Sequence, residues 1–262
     1  MPERDDASEA LDVAVASVAG ADVLLVAIDF DGTLAPFADD PSQVAALPAS
    51  WAAVLTLQRA RDTHVVLVSG RSLRSLAGVT HAPDAMSLVG SHGVEWRVDG
   101  HEEAALTAEE LERAARIAAT LDEVGARHPG VSVEHKPAGS GVHTRRLAEA
   151  EAEATNAEAE TAVRAVDPDA LVRGGKDILE FAVRHVTKGD AIVRLRQLLQ
   201  ADRVFFVGDD VTDEDGFRVL DQDAGDVGVK VGEGQTLARH RVPDPQAVTG
   251  VLKSLARSRA IR

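Results

Sequence analysis

The sequence predicts an α/β protein: a core built on a parallel sheet, interrupted by an inserted α+β cap domain. Three observations predict it. Apolar runs of strand length at 23–28, 64–69 and 203–208 alternate with helical spacings and end abruptly in polar residues. Between residues 104 and 184 the texture changes to alanine- and glutamate-rich helices separated by pairs of alternating segments. After Thr187 the first texture returns. The core is therefore expected to be discontinuous, 1–103 with 185–262, around a cap at 104–184.

Residues 1–20 are alanine-rich and acidic and read as a helix or a loose arm. The run at 23–28 is continuous, as a strand buried on both faces requires. Residues 48–61 have helical spacing, with Trp51, Val54, Leu55 and Leu57 as the apolar stripe. A second strand at 64–69 stops at Gly70, and a helix follows over 72–77. Residues 87–90 form a short third strand. Residues 94–98 followed by Asp99-Gly100 suggest a hairpin turn. In the insert, Thr107 and Glu110 are spaced as a capping box for a long amphipathic helix to residue 127. Strands at 131–136 and 141–145, a helix at 148–166 and strands at 170–172 and 178–183 complete it. The returning core holds a helix at 189–200, a strand at 203–208, a helix at 213–220, a strand at 226–231 and a closing helix at 247–257. The arginine-rich end, 257–262, reads as a solvated tail.

Composition narrows the function. The 262 residues are 45 % apolar and 27 % charged, which suits an ordinary globular protein. Cysteine is absent, which excludes a disulfide framework, a thiolate zinc site and a cysteine nucleophile, and fits a reducing cytoplasm. The charged start, Met1-Pro-Glu-Arg-Asp-Asp, carries no expected signal peptide, and no apolar stretch approaches the roughly 20 residues of a membrane span. A net charge of −15 argues against nucleic acid and anionic membranes as partners.

The chemistry lies at the strand ends, where open α/β sheets bind ligands. The first strand ends in Asp29 and Asp31, the second in Ser69, and the third in Asp209 and Asp210. Four carboxylates in one small space cannot all stay ionised without a cation. Magnesium suits such hard oxygen donors, with Asp29, Asp31 and Asp209 as its candidate ligands. Asp29, at the very end of its strand, is the candidate nucleophile on phosphorus. Asp31, one residue into the loop, is the candidate acid and base. Ser69, Thr33 and the backbone near Gly32 are donors for phosphoryl oxygens. Lys188 supplies a point charge to those oxygens or to Asp29. Asp213, one helical turn beyond Asp209, holds Lys188 or a water, with Asp210 in support.

Asp29-Phe-Asp-Gly-Thr-Leu34, Ser69-Gly-Arg71, Lys188-Gly189 and Gly208-Asp-Asp-Val-Thr-Asp-Glu-Asp215 resemble the four motifs of the haloacid dehalogenase superfamily of phosphohydrolases, and Asp31 resembles its phosphatase branch. That resemblance implies a Rossmann-like core, an aspartyl-phosphate on Asp29, and Phe30, Gly70 and Arg71 beside the phosphate. Gly90-Ser-His-Gly93, Val133-Glu-His-Lys136, His143-Thr-Arg145 and Gly175-Lys-Asp-Ile-Leu-Glu180 narrow it further, because together they look like the trehalose-6-phosphate phosphatase family. There the matching cap positions, Glu134, Lys136, Arg145 and Glu180, grip the sugar. Lys176 and His92 are further candidate contacts. Thr144 stands where that family commonly has tyrosine, a residue this chain lacks altogether.

The resemblance implies magnesium-dependent hydrolysis of trehalose 6-phosphate. It implies a small-molecule sugar phosphate as partner and an association with a trehalose-6-phosphate synthase; the sequence leaves the oligomeric state open, with a monomer favoured. Another sugar phosphatase, a phosphomutase and a non-catalytic sugar-phosphate-binding subunit stay open on the residues alone. Closure of the cap about hinges near 100–103 and 185–187 would exclude water from the intermediate.

Overall fold

The computed structural model describes residues 6–38, 40, 43–98, 101–104, 106–175 and 177–260. They fall into two compact units, Met1–Glu103 with Thr187–Arg262, and Ala104–Val186. The expected turn at Asp99-Gly100 lies outside the described residues.

The first unit is built on β1 (Leu24–Ile28), which pairs in parallel with β10 (Arg203–Gly208) on one side and β2 (Thr63–Val68) on the other. Beyond β10 lie β11 (Val227–Val231) and β12 (His240–Val242). Beyond β2 lie β3 (Ser87–Gly90), β4 (Glu95–Val98) and β5 (His101–Ala104). Pairing is parallel from β12 across to β3, and β4 turns back antiparallel. All five residues of β1 are buried, because the central strand is covered on both faces. Leu24, Val26 and Ile28 join a core with Leu11 and Val15 of α1 (Asp6–Val18), Val54 and Leu57 of α2 (Pro48–Gln58), and Leu252 and Leu255 of α8 (Pro245–Ala260). Each such side chain contributes about 1.5–3 kcal/mol relative to exposure.

Two more helices start at site loops. Ser72 caps α3 (Leu73–Thr80) by accepting from the Ser75 N–H. Thr187 and Asp190 form a reciprocal capping box for α6 (Lys188–Leu198). α7 (Asp213–Arg218) is a short helix after β10.

The second unit is a four-stranded antiparallel sheet in the order β6 (Ser132–Lys136), β7 (Gly139–His143), β9 (Ile178–Ala182), β8 (Leu171–Gly175). It carries α4 (Ala108–Arg127) and α5 (Glu149–Val166). The capping box at Thr107 and Glu110 is present. Ile117, Leu121 and Val124 are the buried stripe of α4, at the helical period.

Two features depart from the sequence reading. β12 was not anticipated; three residues leave too short a pattern to separate from loop. The arginine-rich C-terminus is not simply solvated. α8 continues to Ala260, and Arg259 is 4 % exposed, donating to the carbonyls of Ala19, Ala21, Arg61 and Asp62 and to Thr63 Oγ1. Composition near a terminus says nothing about which carbonyls lie within reach. Among the described residues, no helix is long and apolar enough to cross a membrane.

Candidate active site

Asp29 follows the last residue of β1, and its N–H still bonds the carbonyl of Val207 on β10 at 3.0 Å. The backbone that carries it is therefore part of the sheet, and Asp29 as a whole is 4 % exposed. Lys188, 3 % exposed at the start of α6, donates to Asp29 Oδ1 and to Asp213 Oδ1, both at 2.7 Å. Asp213 is fully buried, and its Oδ2 accepts from the N–H groups of Asp209 and Asp210 at 3.0 and 2.9 Å. One side chain thus ties the lysine to the Gly208-Asp-Asp turn. Of the two roles sequence allowed Asp213, the structure has it holding Lys188.

Asp209 meets the first motif directly. Its Oδ1 accepts from Thr33 Oγ1 at 3.2 Å, and its carboxylate packs on the α-carbon of Gly32. Gly32 sits at φ +77°, and a β-carbon there would overlap that carboxylate, so glycine is required twice over. Behind Asp209, Lys230 is 5 % exposed and donates to the carbonyls of Asp209 and Val231. Lys230 was not singled out from sequence as a site residue. Alternation marks it as a strand position, and nothing local marks its reach.

The electrostatics follow from the count. Asp29, Asp209 and Asp213 place three carboxylates within 4.8 Å of one another around one ammonium. Burial pushes the Asp29 carboxyl well above its usual range; Lys188 opposes this, while Asp213 and Asp209 add to it. Burial, then the charge of Asp213, pushes Asp209 up to about 6. Burial alone would lower Lys188, but its two carboxylate partners outweigh that and hold its proton tightly. The cluster carries an excess of negative charge that a divalent cation would balance. Both oxygens of Asp213 are already engaged, so Asp29 and Asp209 are the oxygens such a cation would take. A site with two carboxylates and room for other oxygens fits magnesium.

Asp31 is placed differently from the sequence reading. Its carboxylate is not among the clustered acids; both its oxygens pair with Arg71, at 2.7 Å to Nε and 2.6 Å to Nη2. A guanidinium fork matches a carboxylate edge, and a partner 40 residues away is invisible to local pattern. Arg71 also lies over the ring of buried Phe30, 5.8 Å from its centroid.

Ser69, 1 % exposed, accepts at Oγ from the Arg71 N–H at 3.1 Å, which curls the loop after β2. The ring of His92 packs on the α-carbon of Gly70, and the His92 N–H donates to the Ser69 carbonyl at 3.0 Å. Ser91 and His92 both have left-handed backbone, φ +49° and +58°, which costs energy for non-glycine residues. Glu95 holds this turn. Its Oε2 accepts from Ser91 Oγ at 2.7 Å and from the Leu73 N–H at 2.9 Å, joining the turn to the start of α3. Sequence reasoning passed over Glu95; its signal was its place two residues after Gly93.

In the second unit, Glu134, Gly141 and Glu180 share one register row across β6, β7 and β9. Lys136 pairs with Glu180 and lies 3.8 Å from Glu134, whose Oε2 is 3.1 Å from His143 Nε2. Glycines at 139 and 141 keep β7 low between them. Arg145 is exposed, and among the described residues no bond links it to this cluster. Lys176 lies outside the described residues.

A family model described as trehalose-phosphatase matches residues 27–246. The chain belongs to the trehalose-phosphatase family. It is a phosphoric monoester hydrolase of the haloacid dehalogenase superfamily. It is 33 % identical over 225 residues to the trehalose-6-phosphate phosphatase of Escherichia coli K12, covering 82 % of this chain and 81 % of that one. It is 32 % identical over 234 residues to the bifunctional trehalose-6-phosphate synthase/phosphatase of Thermoproteus tenax, covering 88 % of this chain but 32 % of that longer one. Its fold is similar to that of the Aspergillus fumigatus trehalose-6-phosphate phosphatase, with a TM-score of 0.72 at 24 % identity over 94 % of this chain and 97 % of that one. Every trehalose-phosphatase motif position described above in the first unit lies inside the matched span.

Proposed function

We propose that this trehalose-phosphatase hydrolyses trehalose 6-phosphate to trehalose and phosphate through an aspartyl-phosphate on Asp29, with magnesium held by Asp29 and Asp209. The observation that carries the reading is the buried Asp29 carboxylate, locked at Oδ1 by Lys188 at the end of a parallel strand. Bound magnesium would offset charge on the carboxylates and on the phosphoryl oxygens.

The chain's own groups divide the work. Lys188 fixes the Asp29 carboxylate for attack on phosphorus in line with the sugar oxygen. The P–O bond to the sugar breaks, and the leaving oxygen takes a proton from Asp31. In the second half, water attacks the phosphoryl group, Asp31 takes back a proton, and Asp29 is released with inorganic phosphate. The Ser69 hydroxyl donates to the phosphoryl oxygens, and Thr33 does so when it leaves Asp209; the Gly32 N–H is taken by the Ala35 carbonyl and shapes the loop instead. Both Asp31 oxygens are engaged by Arg71, so Asp31 reaches a leaving group only after that pair opens. An arriving phosphate competes for the guanidinium and supplies the reason to open. His92 braces Ser69 and Gly70 from behind.

Glu134, Lys136 and Glu180, with Arg145 and Lys176, are assigned to the hydroxyls of the sugar, since carboxylates accept from hydroxyls and cations donate to them. The Thermoproteus relative, named for both activities in one chain, supports an association with a trehalose-6-phosphate synthase. A sequence without cysteine supports a cytoplasmic location.

A panel of sugar phosphates assayed with and without magnesium tests the reading. Trehalose 6-phosphate is expected to be the best substrate and to require the metal. Glu180→Ala is expected to lower kcat/KM for it about 10–100-fold, and much less for acetyl phosphate. Equal losses on both would remove the sugar-binding assignment.

The metal requirement has a pH signature. Asp209, pushed up to about 6, must lose its proton to ligate. Magnesium affinity, read from metal-dependent thermal stabilisation, should fall by at least about tenfold per pH unit below about 6, since the raised Asp29 carboxyl must also give up its proton. The metal-free protein has the opposite trend from this group. A raised carboxyl binds its proton more tightly folded than unfolded, so its contribution is present below the usual 3.8 and is lost as pH rises through about 6. A magnesium affinity unchanged from pH 5 to 8 would rule Asp209 out as ligand.

A further inference from the structure

Phenylalanine is used here almost wholly for packing. Phe30, Phe181, Phe205, Phe206 and Phe217 are all at most 1 % exposed, whereas Phe37 is 75 % exposed. A singly exposed apolar residue is ordinary, so exposure alone decides nothing. Its position does. Phe37 lines a cleft in the first unit together with Asp209, one of the two candidate cation ligands, and with Gly32, Lys230 and Glu233. The loop that carries it is anchored at its base. The Gly32 N–H donates to the Ala35 carbonyl at 2.8 Å, Asp31 and Ala35 form a bridge, and Leu34 and Ala35 donate to the Phe30 carbonyl at 3.0 Å each. Pro36 then fixes the backbone just before the ring. An aromatic face on a short arm braced at its base, in a cleft that Asp209 also lines, suits a flat ligand with an apolar face and polar edges. A pyranose ring has both: axial C–H groups on one face and hydroxyls around its rim. Glu233 at the cleft offers the rim hydroxyls an acceptor. Trp96 is buried with its Nε1 donating to the Gly93 carbonyl, and the chain has no tyrosine.

We propose that Phe37 is a specificity-determining residue that stacks on a pyranose ring of the substrate's leaving group, in the cleft shared by Gly32, Asp209 and Lys230. This rests on the sugar-phosphatase reading above. The test compares the parent with Phe37→Ala and Phe37→Trp on trehalose 6-phosphate and on acetyl phosphate, which has no ring. Phe37→Ala should lower the ratio of the two kcat/KM values about tenfold, mostly through a higher KM for the sugar phosphate. Phe37→Trp should restore the ratio. Its added indole emission should also change on titration with trehalose, but not with inorganic phosphate alone. A parent that does not hydrolyse trehalose 6-phosphate would remove the underlying reading and this inference with it. A parent that does, with Phe37→Ala keeping the ratio or the added indole blind to trehalose, would overturn the stacking role alone.

Discussion

Asp29→Asn is expected to abolish phosphate release from trehalose 6-phosphate, by on the order of 10⁴-fold or more, and to leave the protein folded. The amide is nearly isosteric with the carboxylate but cannot form the acyl-phosphate bond. Folding should not suffer, because Lys188 keeps Asp213 at 2.7 Å and the cluster loses one of its three crowded charges. The metal-free melting temperature should hold or rise slightly for that reason. A malachite-green phosphate assay with a thermal melt on the same sample checks both halves. Residual activity within about 100-fold of the parent would mean that a different group attacks phosphorus.

The largest effect on stability is expected far from that chemistry. Arg259→Met should destabilise by about 3–5 kcal/mol, lowering the melting temperature by roughly 6–20 °C. The guanidinium bonds five acceptors at 2.6–3.0 Å from a position that is 4 % exposed. Four of those acceptors are backbone carbonyls in the turns before β1 and β2, where Asp62 is held at φ +49°. Methionine fills similar space and satisfies none of them. Differential scanning calorimetry reads the change. At 20 °C the folded variant should still turn over substrate at the parental rate, because the five acceptors lie before β1 and at or before the start of β2, away from the candidate site. A shift under about 1 kcal/mol would show that water replaces the guanidinium at those carbonyls.

Much of the architecture was legible because it is written in short periods. A strand covered on both faces must be apolar throughout, and residues 24–28 are. A helix that starts in solvent needs a cap, and Thr107 with Glu110 supplies a reciprocal one. Acids placed where such strands stop belong to a ligand site, and Asp29 and Asp209 meet around Lys188 and Thr33. These inferences need only neighbours a few residues apart.

What escaped them involves partners distant in sequence. Asp31 and Asp29 are two residues apart and chemically identical, yet one is bound by a lysine 159 residues later and the other by an arginine 40 residues later. No local rule separates them. Glu95, Lys230 and Arg259 each look like ordinary charged surface positions until the fold brings a strained turn, the Asp209 carbonyl or a set of turn carbonyls within reach.

By itself, then, the amino-acid order determined the kinds of element, the break in texture at the insert and which acids stand at the strand ends, because apolar period and strand-end composition are local properties. The assignment of partners among those groups was decided only by tertiary structure. A carboxylate's charge, reach and role depend on which cation lies within about 3 Å of it, and that distance is set by packing of segments far apart in the chain.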